Sequence, residues 1–181
     1  MRPLVFLAVI LSGGTLAGVV SATPMMRLDL ATLANAAQMI VHVRCLGLEA
    51  KWENGTIWSF VDFQVIEPMK GAAQPGEVLR VRLAGGRSGH VQTRIDGVPD
   101  FFVGETAVLF LEKTSAGDLG ITGWAQGTFR VRRDTSGRVT VTQESSEFPT
   151  YDRKTKKFFS DGIRNMEIGE FREKLKTLVK N

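Results

Sequence analysis

Asn54-Gly55 sits between two long stretches of alternating residues, and that arrangement constrains the fold more than any other feature of the chain. Both residues tolerate positive φ, which a two-residue turn needs if its twist is to match the strands it joins. Before the turn, Met39 to Trp52 alternates Val41, Val43 and Cys45 against His42 and Arg44. After it, Thr56 to Glu67 sets Val61, Phe63 and Val65 on one face and Phe60, Asp62 and Gln64 on the other. A period of two puts alternate side chains on opposite faces, so each run reads as a half-buried strand. An antiparallel hairpin therefore leads the fold.

Pro68 and the Gly71 to Gly76 region predict a break, followed by a third strand over Glu77 to Leu83. A glycine-rich segment from Ala84 to Gly89 runs into His90 to Ile95, a fourth strand, and then into a turn at Gly97 and Pro99. Thr106 to Leu111 is an apolar run, too short for an ordinary helix and suited to a central strand. Ile121 to Trp124, Thr128 to Arg133 and Arg138 to Gln143 follow, the last two joined by the turn Asp134-Thr135-Ser136-Gly137. Two helices flank the strands. Asp29 caps a short one carrying Leu30, Leu33, Ala34 and Ala37 on one face, and from Ile168 the apolar positions Phe171, Leu175, Leu178 and Val179 mark an amphipathic one.

Residues 1–22 have the layout of a secretory signal. Arg2 precedes an apolar run from Leu4, and Val20 and Ala22 are small enough for signal peptidase, so cleavage is expected after Ala22. An uncleaved anchor is the rival reading, since Leu4 to Val20 spans 17 residues, the lower limit for crossing a bilayer. Cleavage leaves residues 23–181 as one domain with a real core, exported and with no stable membrane insertion. The formal charge of +4 loses one unit with Arg2, and the densest basic patch, Arg153-Lys154-Lys156-Lys157, reads as a solvated loop. The single cysteine makes an internal disulfide impossible, so packing must hold the fold.

Seven or eight short strands need closure to hide their edges, so a mainly β fold is expected: a small closed or partly open antiparallel barrel of the oligonucleotide/oligosaccharide-binding-like (OB-like) kind, with both helices docked on it. The segments Trp52-Glu53-Asn54-Gly55, Val65-Ile66-Glu67-Pro68-Met69-Lys70-Gly71, Gly97-Val98-Pro99-Asp100-Phe101, Val108-Leu109-Phe110-Leu111 and Gly123-Trp124-Ala125-Gln126-Gly127-Thr128-Phe129-Arg130-Val131, in this order, resemble a group of uncharacterised exported bacterial proteins. That resemblance implies a barrel similar to that of tissue inhibitors of metalloproteinases. Those inhibitors begin with a metal-chelating cysteine after signal removal, whereas Thr23 is the expected new N-terminus here. Their inhibitory chemistry does not transfer.

No catalytic set and no metal site is legible. His42 and His90 are the only histidines, far apart in sequence, and a catalytic zinc needs three protein ligands. His42 is expected on the solvent face of its strand and His90 in a loop. Cys45, set among valines, reads as a small buried hydrophobe rather than a nucleophile. Serine nucleophile elbows and zinc-protease helix motifs are missing. Asn54-Gly55-Thr56 matches a glycosylation acceptor but already serves as the turn. Gly85-Gly86-Arg87-Ser88-Gly89-His90 is the best candidate for a ligand loop, with glycines letting amides converge and Arg87 and His90 adding charge or donors. It does not match a P-loop, and an ordinary connector is the plainer alternative. Arg94 and Asp96 complete that candidate site. Trp58 and Phe60, on one face of a strand, make a second candidate as an aromatic platform, unless a terminal helix covers them.

The sequence-based expectation is thus an exported, non-enzymatic binding or interaction module with no cofactor, whose partner is a protein or an envelope polymer rather than nucleic acid. A hydrolase or protease-inhibitor-like protein, with a site assembled from scattered residues, is the alternative. Two observations separate them: a histidine hydrogen-bonded to a carboxylate in a cleft favours the enzyme, and an exposed apolar patch without such a pair favours the module.

Overall fold

The computed structural model describes residues 25–179; the expected signal lies outside the described residues. In chain order the elements are α1 (Leu30–Ala36), β1 (Met39–Glu53), β2 (Thr56–Lys70), β3 (Val78–Ala84), β4 (Gly86–Ser88), β5 (Val91–Thr93), β6 (Thr106–Lys113), β7 (Leu119–Ile121), β8 (Thr128–Arg133), β9 (Val139–Gln143), β10 (Thr150–Asp152), β11 (Lys157–Phe159), β12 (Met166–Glu167) and α2 (Ile168–Val179). The main sheet runs β1-β2-β3-β7-β6-β8-β9-β12, and β1 also pairs with β6. That extra pairing closes β1, β2, β3, β7 and β6 into a five-stranded ring. All its pairs are antiparallel except β3 with β7, which meet in parallel at Val81 and Leu119. The protein is mainly β, with a ring of strands and the two flanking helices, as expected.

The ring exists because β1 and β6 are apolar on both faces. Val41, Val43 and Cys45 of β1 and Ala107, Leu109 and Leu111 of β6 point inward, meeting Val61, Phe63, Val65, Val81 and Ile121. Their neighbours Ile40, Val108 and Phe110 point outward into a second cluster with Phe129, Val141, Leu33, Phe171 and Leu175. The two helices bury their apolar stripes in that second cluster. Asp29 Oδ1 accepts from the Thr32 amide at 2.7 Å, and Lys70 Nζ donates to the Ala34 and Ala37 carbonyls at 2.7 and 2.6 Å, so both ends of α1 are closed by side chains.

Several boundaries differ from the sequence expectation. Pro68 does not end β2; it pairs with Val41 beside a register shift, where a missing amide removes no regular ladder bond. The glycine segment is itself paired: β4 and β5 form a small hairpin, with Gly89 and His90 at its turn. Trp124 opens a 3-10 turn instead of ending a strand, following Gly123 in the left-handed region at φ 64°. His42 is not on the solvent face, because α2 packs beside it. The β10–β11 hairpin had no alternating signal, and its turn carries Arg153, Lys154 and Lys156, all exposed as expected of a solvated loop.

Candidate functional site

Past Arg44 the β1–β2 hairpin outruns the ring and becomes one wall of a cleft of about 390 Å³. Leu48, Ala50, Ser59 and Val61 face it from the hairpin, Gly85 to Arg87 and Gln92 to Ile95 line it from the β4–β5 hairpin, and Val98 to Phe102 close the third side. The β4–β5 wall is held close: Ser59 Oγ donates to the Gly85 carbonyl at 2.8 Å, and the Gly85 amide donates to the Ile57 carbonyl at 2.8 Å. Gly85 sits at φ 92°, where a Cβ would meet the Thr93 carbonyl oxygen at 2.7 Å. Only glycine fits that corner.

The third wall is anchored from below. Phe101 is buried edge-on against Phe63, with ring centroids 4.9 Å apart, and the Arg130 guanidinium lies 4.5 Å from its centroid. Arg130 also reaches Glu105 at 3.0 Å, Glu144 at 2.6 Å and the Asp100 carbonyl at 2.5 Å. With Phe101 fixed inward, the next two residues turn outward: Phe102 and Val103 are each 67 % exposed. Leu46 and Leu48 are exposed on the facing strand, Leu48 by 51 %. The rim of the cleft is therefore apolar and held by a buried ring and an ion-pair cluster.

Arg87 and Arg94 lie in this lining, and neither makes an ion pair among the described residues; Arg87 Nε reaches only the Gly89 carbonyl, at 3.4 Å. His90 and Asp96 are exposed and outside the lining, the first at the β4–β5 turn and the second at the turn before Gly97. The structure thus brings together Arg87 and Arg94 and leaves His90 and Asp96 apart. Trp58 and Phe60 project from the opposite face of the hairpin. No helix covers them: the Arg82 guanidinium lies 4.1 Å from the Trp58 ring centroid and 5.7 Å from that of Phe60. Arg82 is itself held by Glu53 at 2.7 Å and Asp118 at 2.8 Å. Both rings already stack on the protein's own cation.

The sequence reading missed Leu48, Phe102 and Val103. A signal was present, since Phe101-Phe102-Val103 is an apolar triplet inside a turn segment flanked by Pro99-Asp100 and Gly104-Glu105. Three consecutive apolar residues in a turn cannot all face one core.

Elsewhere the polar groups serve the fold. A smaller cleft of about 250 Å³ lies between the entering chain and residues 161–163. Gln126 there accepts from the Leu28 amide and donates to the Met26 carbonyl, both at 2.7 Å, and Gln143 donates to the Gln126 carbonyl at 2.7 Å. These bonds stitch residues 26–28 to the sheet. His42 Nε2 is buried without a hydrogen-bond partner, and burial holds the ring's pKa below its ordinary value, with Glu67 partly offsetting that. Cys45 is buried and its thiol is pushed up by burial, which disfavours a reactive thiolate. Among the described residues, no histidine is bonded to a carboxylate, and no group of three or more His, Cys, Asp or Glu side chains is placed to hold a metal. No helix of the described residues is long and apolar enough to cross a membrane. Comparison with protein-family models, curated proteins and solved structures returns no match for this chain.

Proposed function

We propose that the protein is an exported interaction module that receives a partner protein at the open end of its ring, without catalysing a reaction. One observation carries this reading: an anchored apolar rim, Leu48 and Phe102, borders a cleft whose two arginines have no carboxylate partner among the described residues. An aqueous protein gains little by holding two large apolar side chains outward on a braced loop unless something covers them. Cations left unpaired beside such a rim add orientation and on-rate to a docking event. The layout of residues 1–22 supports export.

The test uses the full chain with a C-terminal affinity tag, expressed in its own cell. The processed protein is expected in the envelope or medium, retaining a crosslinked protein partner that Phe102→Asp releases while leaving the circular dichroism unchanged. Turnover on a hydrolase substrate panel that His90→Ala abolishes would overturn the reading. So would retention of the partner by Phe102→Asp.

A further inference from the structure

We infer that the open end takes an extended, acidic segment of the partner as an added strand on the free edge of β1. This rests on the interaction-module reading and names the form of its partner. The edge follows from hydrogen-bond parity. Ile57 turns its carbonyl to Gly85 on the β3 side, so the odd-numbered residues of this part of β2 face β3. Thr56, Trp58, Phe60 and Asp62 must then face β1, where they pair with Glu53, Lys51, Glu49 and Gly47. In an antiparallel ladder the alternate residues point the other way. The main-chain N–H and C=O groups of Leu48, Ala50 and Trp52 therefore point away from β2.

Nothing in the described chain meets them. β6 stops pairing with β1 at Arg44 and Thr106, and two further bonds, Cys45 N to Glu105 O at 2.9 Å and Gly104 N to Cys45 O at 2.8 Å, end the contact on that side. Leu46 is the extra residue of the bulge that follows, and beyond it no main-chain bond joins β1 to anything but β2. The exposed edge from Leu48 to Trp52 is about 17 Å long at about 3.4 Å per residue. Edges of this kind are ordinarily blunted by proline, a bulge or an inward charge. This one has none past Leu46; Lys51 lies on the opposite face, paired with Glu49 at 2.9 Å.

Strand addition explains the cleft as well as the edge. An incoming strand on β1 would continue its pleat, so every second side chain would enter the space between Leu48 and Ala50 on one side and Phe101 and Phe102 on the other. The sign of the partner follows from the lining, which holds Arg87 and Arg94 against one carboxylate, Asp100. An acidic residue flanking the apolar ones is the complement. An extended peptide supplies donors and acceptors at the strand's own repeat and alternating side chains for the cleft, a match that neither a glycan nor a nucleic acid backbone offers.

The probe is a fluorescein-labelled octapeptide of alternating valine and threonine with an aspartate at each end, titrated into the full chain by anisotropy. Two controls are the same peptide N-methylated at alternate amides and a version with lysine ends. Binding of the acidic peptide is expected, with a loss of about tenfold or more on N-methylation and a similar loss with lysine ends. The amides of Leu48, Ala50 and Trp52 should gain hydrogen-exchange protection. Arg94→Glu should invert the charge preference. Ala50→Pro, which removes an N–H from the free edge only, should weaken binding about tenfold, and the N-methylated peptide carries the same test should that variant misfold.

Equal binding of the N-methylated peptide overturns strand addition. No binding of any peptide, while Phe102-dependent capture of a partner persists, overturns it too and leaves the interaction reading standing. Competition at the cleft by peptidoglycan fragments, with no peptide binding, replaces the peptide with a polymer. Failure of the partner capture itself removes the reading beneath.

Discussion

The two halves of β1 belong to one continuous strand and have opposite fates. From Ile40 to Arg44 the strand is paired on both edges, to β2 and β6, and Ile40, Val41 and Val43 are wholly buried. From Leu48 to Glu53 it is paired to β2 alone, and Leu48 and Trp52 stand half in water. Both halves carry apolar side chains on alternate positions, so the alternation does not distinguish a core strand from an open one. What separates them is the end of β6 and the bulge at Leu46. One half supplies stability, and the other offers an edge and an apolar face that the described residues leave uncovered.

The sharpest break of that comparison is a truncation in the near half. Ile40→Ala should cost about 2–5 kcal/mol in urea unfolding, because Ile40 is fully enclosed by Phe110 and the helices and the cavity cannot refill. Gly85→Ala tests the corner where β3 passes into the β4–β5 wall of the cleft. Its Cβ would press on the Thr93 carbonyl at a left-handed φ, so a loss of about 1–3 kcal/mol is expected, with partner binding lost alongside as the β4–β5 hairpin shifts. Unchanged binding in that variant would detach the hairpin from the site.

The ring and its two helices were legible because their signals are local: Asn54-Gly55 fixes a register, Asp29 caps a helix, and Thr106 to Leu111 is too apolar for an edge. The cleft was legible only through Gly85, Gly86 and Arg87, whose glycines mark a loop with special backbone geometry, and through Arg94 close by in sequence. The rest depended on distance in sequence. That Arg82 would cover Trp58 and Phe60 requires β3 to lie beside β2 in one register, and that Phe102 would face Leu48 requires Phe101 to find Phe63. His42 was misread for the same reason, since alternation reveals which face it shares but not that α2 packs on that face.

Smaller effects probe the outer faces of the same two halves. Arg82→Ala removes a cation stacked on Trp58 and bonded to Glu53 and Asp118, with its side chain mostly buried. A loss near 1 kcal/mol is expected, with no change in partner binding, because that face is turned from the cleft. Reduced binding in this variant would return the aromatic pair to the site. On the near half, burial lowers the pKa of His42 below its unfolded value of 6.5, with Glu67 raising it and Arg172 and Arg44 lowering it further. Just below pH 6.5 the unfolded chain binds a proton that the folded chain does not, and stability falls as the pH falls. His42→Gln should flatten the difference between urea midpoints at pH 7.5 and 5.5; an unchanged difference would mean that this ring titrates freely.

The smallest expected effect is the most telling one. Leu48→Ala should change folding stability by less than about 0.5 kcal/mol, because the side chain is 51 % exposed and its removal enlarges a space already open to water. The same substitution should weaken the partner complex, since Leu48 is the near wall of the cleft and sits on the edge whose amides are free. A stability loss approaching that of Ile40→Ala would mean that the far half of β1 is closed in solution, with Phe102 folded down over Leu48. The comparison would then collapse into a single buried strand, and the open end would have nothing to bind.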